Sequence, residues 1–179
     1  METPAPDKTR MSALRNLRML TRYNAWANDR LYDALAKLPE SEVLADRGAG
    51  SMLKTLNHAF VVDQVWKGHL ESRPHGYKAL NTPTLPALAE LRAAQAGSDA
   101  WYQACADALT EAAHDEAIRF AFVDGGAGEM RRGDMLLHVV NHKTYHRGYV
   151  AQMLYQTSLK PPTIDITVFL RDAADRMAA

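Results

Sequence analysis

Three of the seven histidines stand at successive four-residue steps in His138-Val-Val-Asn-His142-Lys-Thr-Tyr-His146. On a helix, residues four apart share a face, so each adjacent pair can offer two imidazole nitrogens to one metal ion. All three cannot serve the same ion from a straight helix, because positions eight apart are separated by about 12 Å of rise. Projection at about 100° per residue puts Met135 and Met153 in one direction, with His142 and His146 roughly 20° to either side. Val139, Tyr149 and Val150 share that arc, whereas His138 falls about 60° from its centre, at the edge of the apolar face. The inward pair is His142 and His146.

Two imidazoles hold a metal weakly, and catalytic centres usually combine three protein ligands with open positions for water or substrate. His58 is the leading candidate for the third, because it sits mid-helix between Thr55, Val62 and Val65. His69 shares its face but lies nearly three turns away, and His75 and His114 fall near loops. Spacing alone leaves open the alternative that these are packed core histidines with hydrogen-bonded nitrogens. Two familiar sites are excluded. Lys143 stands where a zinc peptidase with paired histidines needs its Glu, and Glu111-Ala-Ala-His114 is a single Glu-x-x-His where a di-iron bundle needs two.

The elements that must position these residues read as helices. One from about Ser12 to Leu38 carries Leu14, Leu17, Leu20, Leu31 and Leu35 at helical spacing, with Pro39 as its stop. Asn24 and Asn28 project onto that apolar face. They are either hydrogen-bonded to a neighbouring element or placed to support a histidine or contact a ligand. Ser51 is set to cap a second helix running to about Ser72, and Pro74 to Pro86 is turn-rich. A third helix from about Leu85 to His114 precedes a small hairpin over Ala117–Val123 and Glu129–Arg132, joined through Asp124-Gly125-Gly126. Asp134 is placed to cap a fourth helix ending near Thr157 before Pro161-Pro162, and a short helix occupies Asp165 to Ala174. Four long helices predict an all-α four-helix bundle. Tyr23 and Trp26 on helix one, and Leu136, Val140 and Leu154 on helix four, give each a second apolar face. A homodimer contact is the expectation, with covering by the terminal segment as the alternative.

The 179 residues suit one domain, about 12–175 behind a flexible leader 1–11 rich in Pro and charge. Lys plus Arg and Asp plus Glu number 21 each. That balance removes the electrostatic case for nucleic acid or an anionic membrane and leaves a small molecule or a protein as partner. No apolar run is long enough to span a bilayer, and nothing near the start has the apolar core of a signal peptide. Cys105 stands alone, which fits a reducing compartment, so the expected location is cytoplasmic.

Three motifs carry a resemblance: Tyr23-Asn-Ala-Trp-Ala-Asn28 with Arg30-Leu31, Ser51-Met-Leu-Lys-Thr-Leu-Asn-His58 continuing to Asp63 and Trp66, and Leu137-His-Val-Val-Asn-His142-Lys-Thr-Tyr-His146-Arg-Gly148 with Asp165-Ile-Thr-Val-Phe-Leu170 after it. In this order, over nearly the whole chain, the sequence resembles the DinB/YfiT-like family, whose members are taken to be metalloenzymes and which is unrelated to the DNA polymerase sharing the name. The resemblance implies an up-down-down-up four-helix bundle, often dimeric, with zinc or nickel on His58, His142 and His146. It also implies kinship with metal-dependent transferases and isomerases that use low-molecular-weight thiols. The expected function is therefore metal-dependent thiol addition or S-transfer on a small molecule, with Asn24, Asn28 and Tyr149 as candidates to support the histidines or line the substrate pocket. Alternatives are metal-dependent hydrolysis and non-catalytic metal binding for structure, sensing or storage.

Overall fold

Ser51 caps the second long helix as its place before an apolar run predicts. Its Oγ accepts from the Lys54 backbone N–H at 3.1 Å, satisfying one of the donors that a helix start leaves open. The computed structural model describes residues 8–48 and 50–178, and residues 1–7 of the expected leader lie outside the described residues. The four long helices are α1 (Lys8–Leu35), α3 (Met52–Leu70), α4 (Leu88–Ala108) and α6 (Arg132–Leu154). Short helices α2 (Glu40–Leu44) and α5 (Glu111–His114) occupy connections, and α7 (Ile166–Ala178) closes the described chain. Strands β1 (Ala117–Ala121) and β2 (Ala127–Arg131) form the expected hairpin.

Side-chain contacts fix the direction of each long helix. Arg22 reaches Asp107 while Asn28 reaches Asp99 and Asp29 meets Arg92, so α1 and α4 are antiparallel. Leu53 shares an apolar cluster with Leu91, and Trp66 shares the other with Tyr102, so α3 and α4 run the same way. Leu17 packs in one cluster with Leu136 and Leu35 in the other with Leu154, which makes α6 parallel to α1. The bundle is up-down-down-up. Its antiparallel neighbours α3 and α6 carry His58 and the His142–His146 pair to the same level.

Local chemistry shifts several boundaries. Lys8 to Met11 contain no Pro or Gly, and α1 begins there, about a turn before the expected start. It ends at Leu35, with Ala36–Leu38 forming a turn closed by Leu38 N–H on Leu35 O at 3.0 Å. The expected third helix is interrupted: Leu109 is extended (φ −68°, ψ 125°), and the Thr110 side chain accepts from Ala113 N–H to start α5. A Thr hydroxyl offers the backbone this alternative to continuing a helix. Asp134 does not cap α6. Strand β2 feeds directly into the helix, so Arg131 is the cap residue without a side-chain bond, and Asp134 sits in the first turn, where its charge suits the positive end of the helix dipole. In the hairpin, Phe120 pairs with Gly128, and its ring lies 2.5 Å from where a Cβ on that residue would be, so a side chain there requires the ring to move.

The second apolar faces are covered within the chain. On α7, Phe169 packs edge-on to Tyr23 at 5.9 Å and against Trp26 at 5.6 Å, while Tyr23 Oη donates to Ile164 O at 2.9 Å. Leu136 and Leu154 are fully buried in the clusters they share with α1, and Val140 is buried as well. The apolar argument for a homodimer is thereby corrected: the terminal segment and α1 take the place assigned to a second copy. Phe169→Ala is expected to lower stability by about 2 kcal/mol, below the ~3–5 of a central Phe deletion because this cluster is a satellite of the main core. Urea denaturation measures it.

Candidate metal centre

His58, His142 and His146 present ligand atoms that all lie within 4.8 Å of one another, and no other group of three His, Cys, Asp or Glu does so among the described residues. The Nε2 atoms of His142 and His146 are 3.0 Å apart, and the His58 ring stands 5.4 Å and 4.7 Å from theirs. Ligand nitrogens about 2.0–2.1 Å from a tetrahedral ion lie roughly 3.4 Å from each other. The observed cluster fits that span after small side-chain rotations. His138 stays outside it, its ring against Trp66 at 4.8 Å. His114 is also accounted for: its ring packs where a Cβ on Gly133 would stand, and its Nδ1 meets Asp115 at 2.9 Å.

Of the three candidate ligands, His58 is oriented by a hydrogen bond. His58 Nδ1 lies 2.9 Å from Leu80 O. That acceptor commits Nδ1 to carrying the proton and leaves Nε2 bare for a metal, the arrangement typical of a ligating histidine. The Leu80 loop is pinned beside it, because buried Asn57 Oδ1 accepts from both Thr82 N–H at 3.0 Å and Thr82 Oγ1 at 3.1 Å. Burial, reinforced by the neighbouring imidazoles, pushes His142 down to about 3, and burial with the charges of His58 and Lys143 pushes His146 down to about 4. Both rings are therefore neutral at physiological pH, the form that binds metal. Their Nδ1 atoms are buried without a hydrogen-bond partner among the described residues.

Tyr149 lies in a cavity of about 290 Å³ with His58, His146, Lys54, Asn81 and Tyr145, and its hydroxyl is 2.8 Å from that of Tyr145. Asn24 and Asn28 are elsewhere. Both donate to Asp99, at 3.3 Å and 2.9 Å, and both accept from Arg147 Nη1, at 2.6 Å and 2.9 Å. They form part of a buried polar layer between the two apolar clusters and do not support the histidines, so their expected place at the centre is corrected. Asp63, Gln95 and Lys143 complete the layer. Lys143 Nζ reaches Asp63 at 3.0 Å and Gln95 at 2.6 Å, and Gln95 Nε2 donates to both Asp63 and Asp99 at 3.0 Å. Burial pushes Asp99 up to about 6 despite Lys143 and these donors, and it raises Asp63 in the same way.

Lys143 and Arg147 were missed by the helical projection, which assigns charges to the outside, yet they are 3% and 2% exposed, deeper than the histidines. A signal was available. Asn24/Asn28, Gln95/Asp99 and Lys143/Arg147 are polar pairs at i, i+4 within apolar stripes, and Asp63 interrupts a fourth. Four helices with polar insertions at matching depths point to one internal layer.

An up-down-down-up bundle whose second and fourth long helices converge three imidazoles beside open cavities defines a class of helical proteins with a candidate metal centre between helices. The chain belongs to the DinB family, whose family model matches residues 11–177. Among solved structures, it is similar to a DinB-like protein from Bacillus cereus ATCC 10987 at 14% identity, with a TM-score of 0.63 over 79% of this chain and 91% of that one. This likeness concerns the fold. No curated protein matches the chain. No helix among the described residues is long and apolar enough to cross a membrane.

Proposed function

We propose that this DinB-family chain binds one divalent metal ion, zinc or nickel, through His58, His142 and His146, and uses it to activate a low-molecular-weight thiol for addition or transfer to a small molecule. The observation that carries the reading is three imidazoles with ligand atoms within 4.8 Å of one another, opening onto cavities rather than closed by a fourth protein ligand. An ion held by neutral ligands keeps its full charge and lowers the pKa of a bound thiol or water. The chain's own contribution is to orient His58 through Leu80 and Asn57 and to offer Lys54, Asn81, Tyr145 and Tyr149 as polar contacts for a cosubstrate.

Hydrolysis by metal-bound water is less well served. Among the residues lining the cavities beside the histidines, Asp124 is the sole carboxylate, and it lies on the exposed hairpin turn, accepting from Gly126 N–H at 3.0 Å. A general base must come within hydrogen-bond reach of the proton it takes. A panel of low-molecular-weight thiols and soft electrophiles, followed by loss of free thiol with the zinc- or nickel-loaded chain, is expected to reveal turnover that a chelator abolishes. Turnover that survives complete metal removal would sink the reading.

A further inference from the structure

The histidine cluster stands between two cavities of unlike chemistry, and His58 lines both. One is the more polar of the two, where Lys54, Asn81, Tyr145 and Tyr149 stand beside Met153. The other, of about 490 Å³, is walled by Val62, Val65, Trp66 and Phe122, with the rings of His69 and His138 completing it. We propose that this second cavity binds an uncharged, ring-bearing small molecule and presents it to the metal centre as the acceptor for a thiol held on the polar side. The acceptor role rests on the thiol-transfer reading, while the ligand class rests on the cavity walls alone.

The volume falls within the range of small-molecule sites, about 300–1,000 Å³. Its lining includes the rings of Trp66, Phe122, His69 and His138, and Phe120 behind the wall stands edge-to-face 5.0 Å from both Trp66 and Phe122, holding those two rings in place. Such walls favour a planar guest over a flexible chain, because aromatic pairs gain from offset or edge-on contact beyond the area they bury. Two large apolar side chains at the mouth, Leu80 and Phe122, are 44% and 49% exposed, a surface that a bound guest would cover. Apart from the ion itself, fixed charge in the lining is confined to Lys78 and Asp124, exposed and opposite in sign, so the walls select for neither anion nor cation. Leu80 also ties the cavity to the centre, since its carbonyl holds His58 Nδ1. In the addition reaction the S–H bond breaks, the sulfur bonds to an electrophilic carbon of the guest, and the displaced π pair takes up the thiol's proton. No further reactant is needed.

The test is calorimetric titration of the full chain stripped of metal, so that no probe is held by coordination, with 2-naphthalenemethanol, an uncharged bicyclic probe, and with 2-naphthoate and 1-decanol as its charged and chain-like counterparts. The neutral ring compound is expected to bind several-fold tighter than either. Phe122→Asp, at an exposed position that spares the fold, is expected to weaken it about tenfold. Tyr155→Ser, which removes an exposed ring away from the cavity, is expected to leave it unchanged. Equal affinity in Phe122→Asp, or naphthoate or decanol binding as tightly as the alcohol, overturns the inference. Probe binding without any thiol turnover overturns the acceptor role and upholds the ligand class; thiol turnover without probe binding overturns the ligand class alone.

Discussion

His142→Ala is expected to lower the metal content of protein purified without a histidine tag or metal column from about one ion per chain to near zero. His142 stands 4.4 Å ring to ring from His146 and 5.4 Å from His58, within reach of an ion shared by all three. Its loss leaves two imidazoles on different helices, and the affinity is expected to fall by more than the 10–100-fold typical of removing a group that merely supports a ligand. Added zinc should raise the thermal midpoint of the wild-type chain by linkage and leave that of the variant unmoved. His58→Ala should behave alike, and His138→Ala should keep its metal, because that ring rests on Trp66 outside the cluster. Elemental analysis beside a thermal melt reads all three. A fully metallated His142→Ala would end the case for this centre.

Much of this site was legible in the sequence, and the physical reason is periodicity. Rise per residue and helical projection need no tertiary information, so they separate His138 from the His142–His146 pair. The third candidate ligand came from resemblance, because nothing local to His58 states which helix faces it. The same limit explains the errors. Tyr23 and Trp26 carry the same apolar signal whether a second copy or α7 covers them, and only the chain path decides. Asn24 and Asn28 were read correctly as inward-facing, and of the two roles left open to them the hydrogen bonds go to neighbouring helices. Their acceptors and donors lie on α4 and α6, about 70 and 120 residues away, a separation no local pattern encodes. Helix ends failed where a single hydroxyl, that of Thr110, offered the backbone a competing bond.

The second large effect is expected from Lys143→Met. The ammonium pairs with Asp63 at 3.0 Å, with side chains 4% and 1% exposed, and removing one member of such a buried pair costs about 3–5 kcal/mol because the other charge is stranded. When ionised, Asp63, Asp99, Lys143 and Arg147 balance to zero. Without the lysine, both carboxylates lose the cation that lowers them. Asp99 in the folded chain is already held at about 6, above the ~3.9 of an unfolded Asp, so the native state binds its proton more readily between those values. Its contribution to stability is therefore full below about pH 4 and is lost as pH rises through 6. In Lys143→Met the loss extends to higher pH, so the deficit measured by urea denaturation should be larger at pH 8 than at pH 5. An equal deficit at both would show that the carboxylates do not feel the lysine. Asp63→Leu combined with Lys143→Met removes both charges and should recover most of the loss, since apolar replacement of a whole buried pair is often neutral. The consequence reaches the histidines. Lys143 adjoins His142 on α6 and Asp63 lies five residues beyond His58 on α3, so this pair fastens the two helices that carry the ligands. Zinc affinity is thus expected to fall in Lys143→Met with every histidine in place, and to return in the double variant.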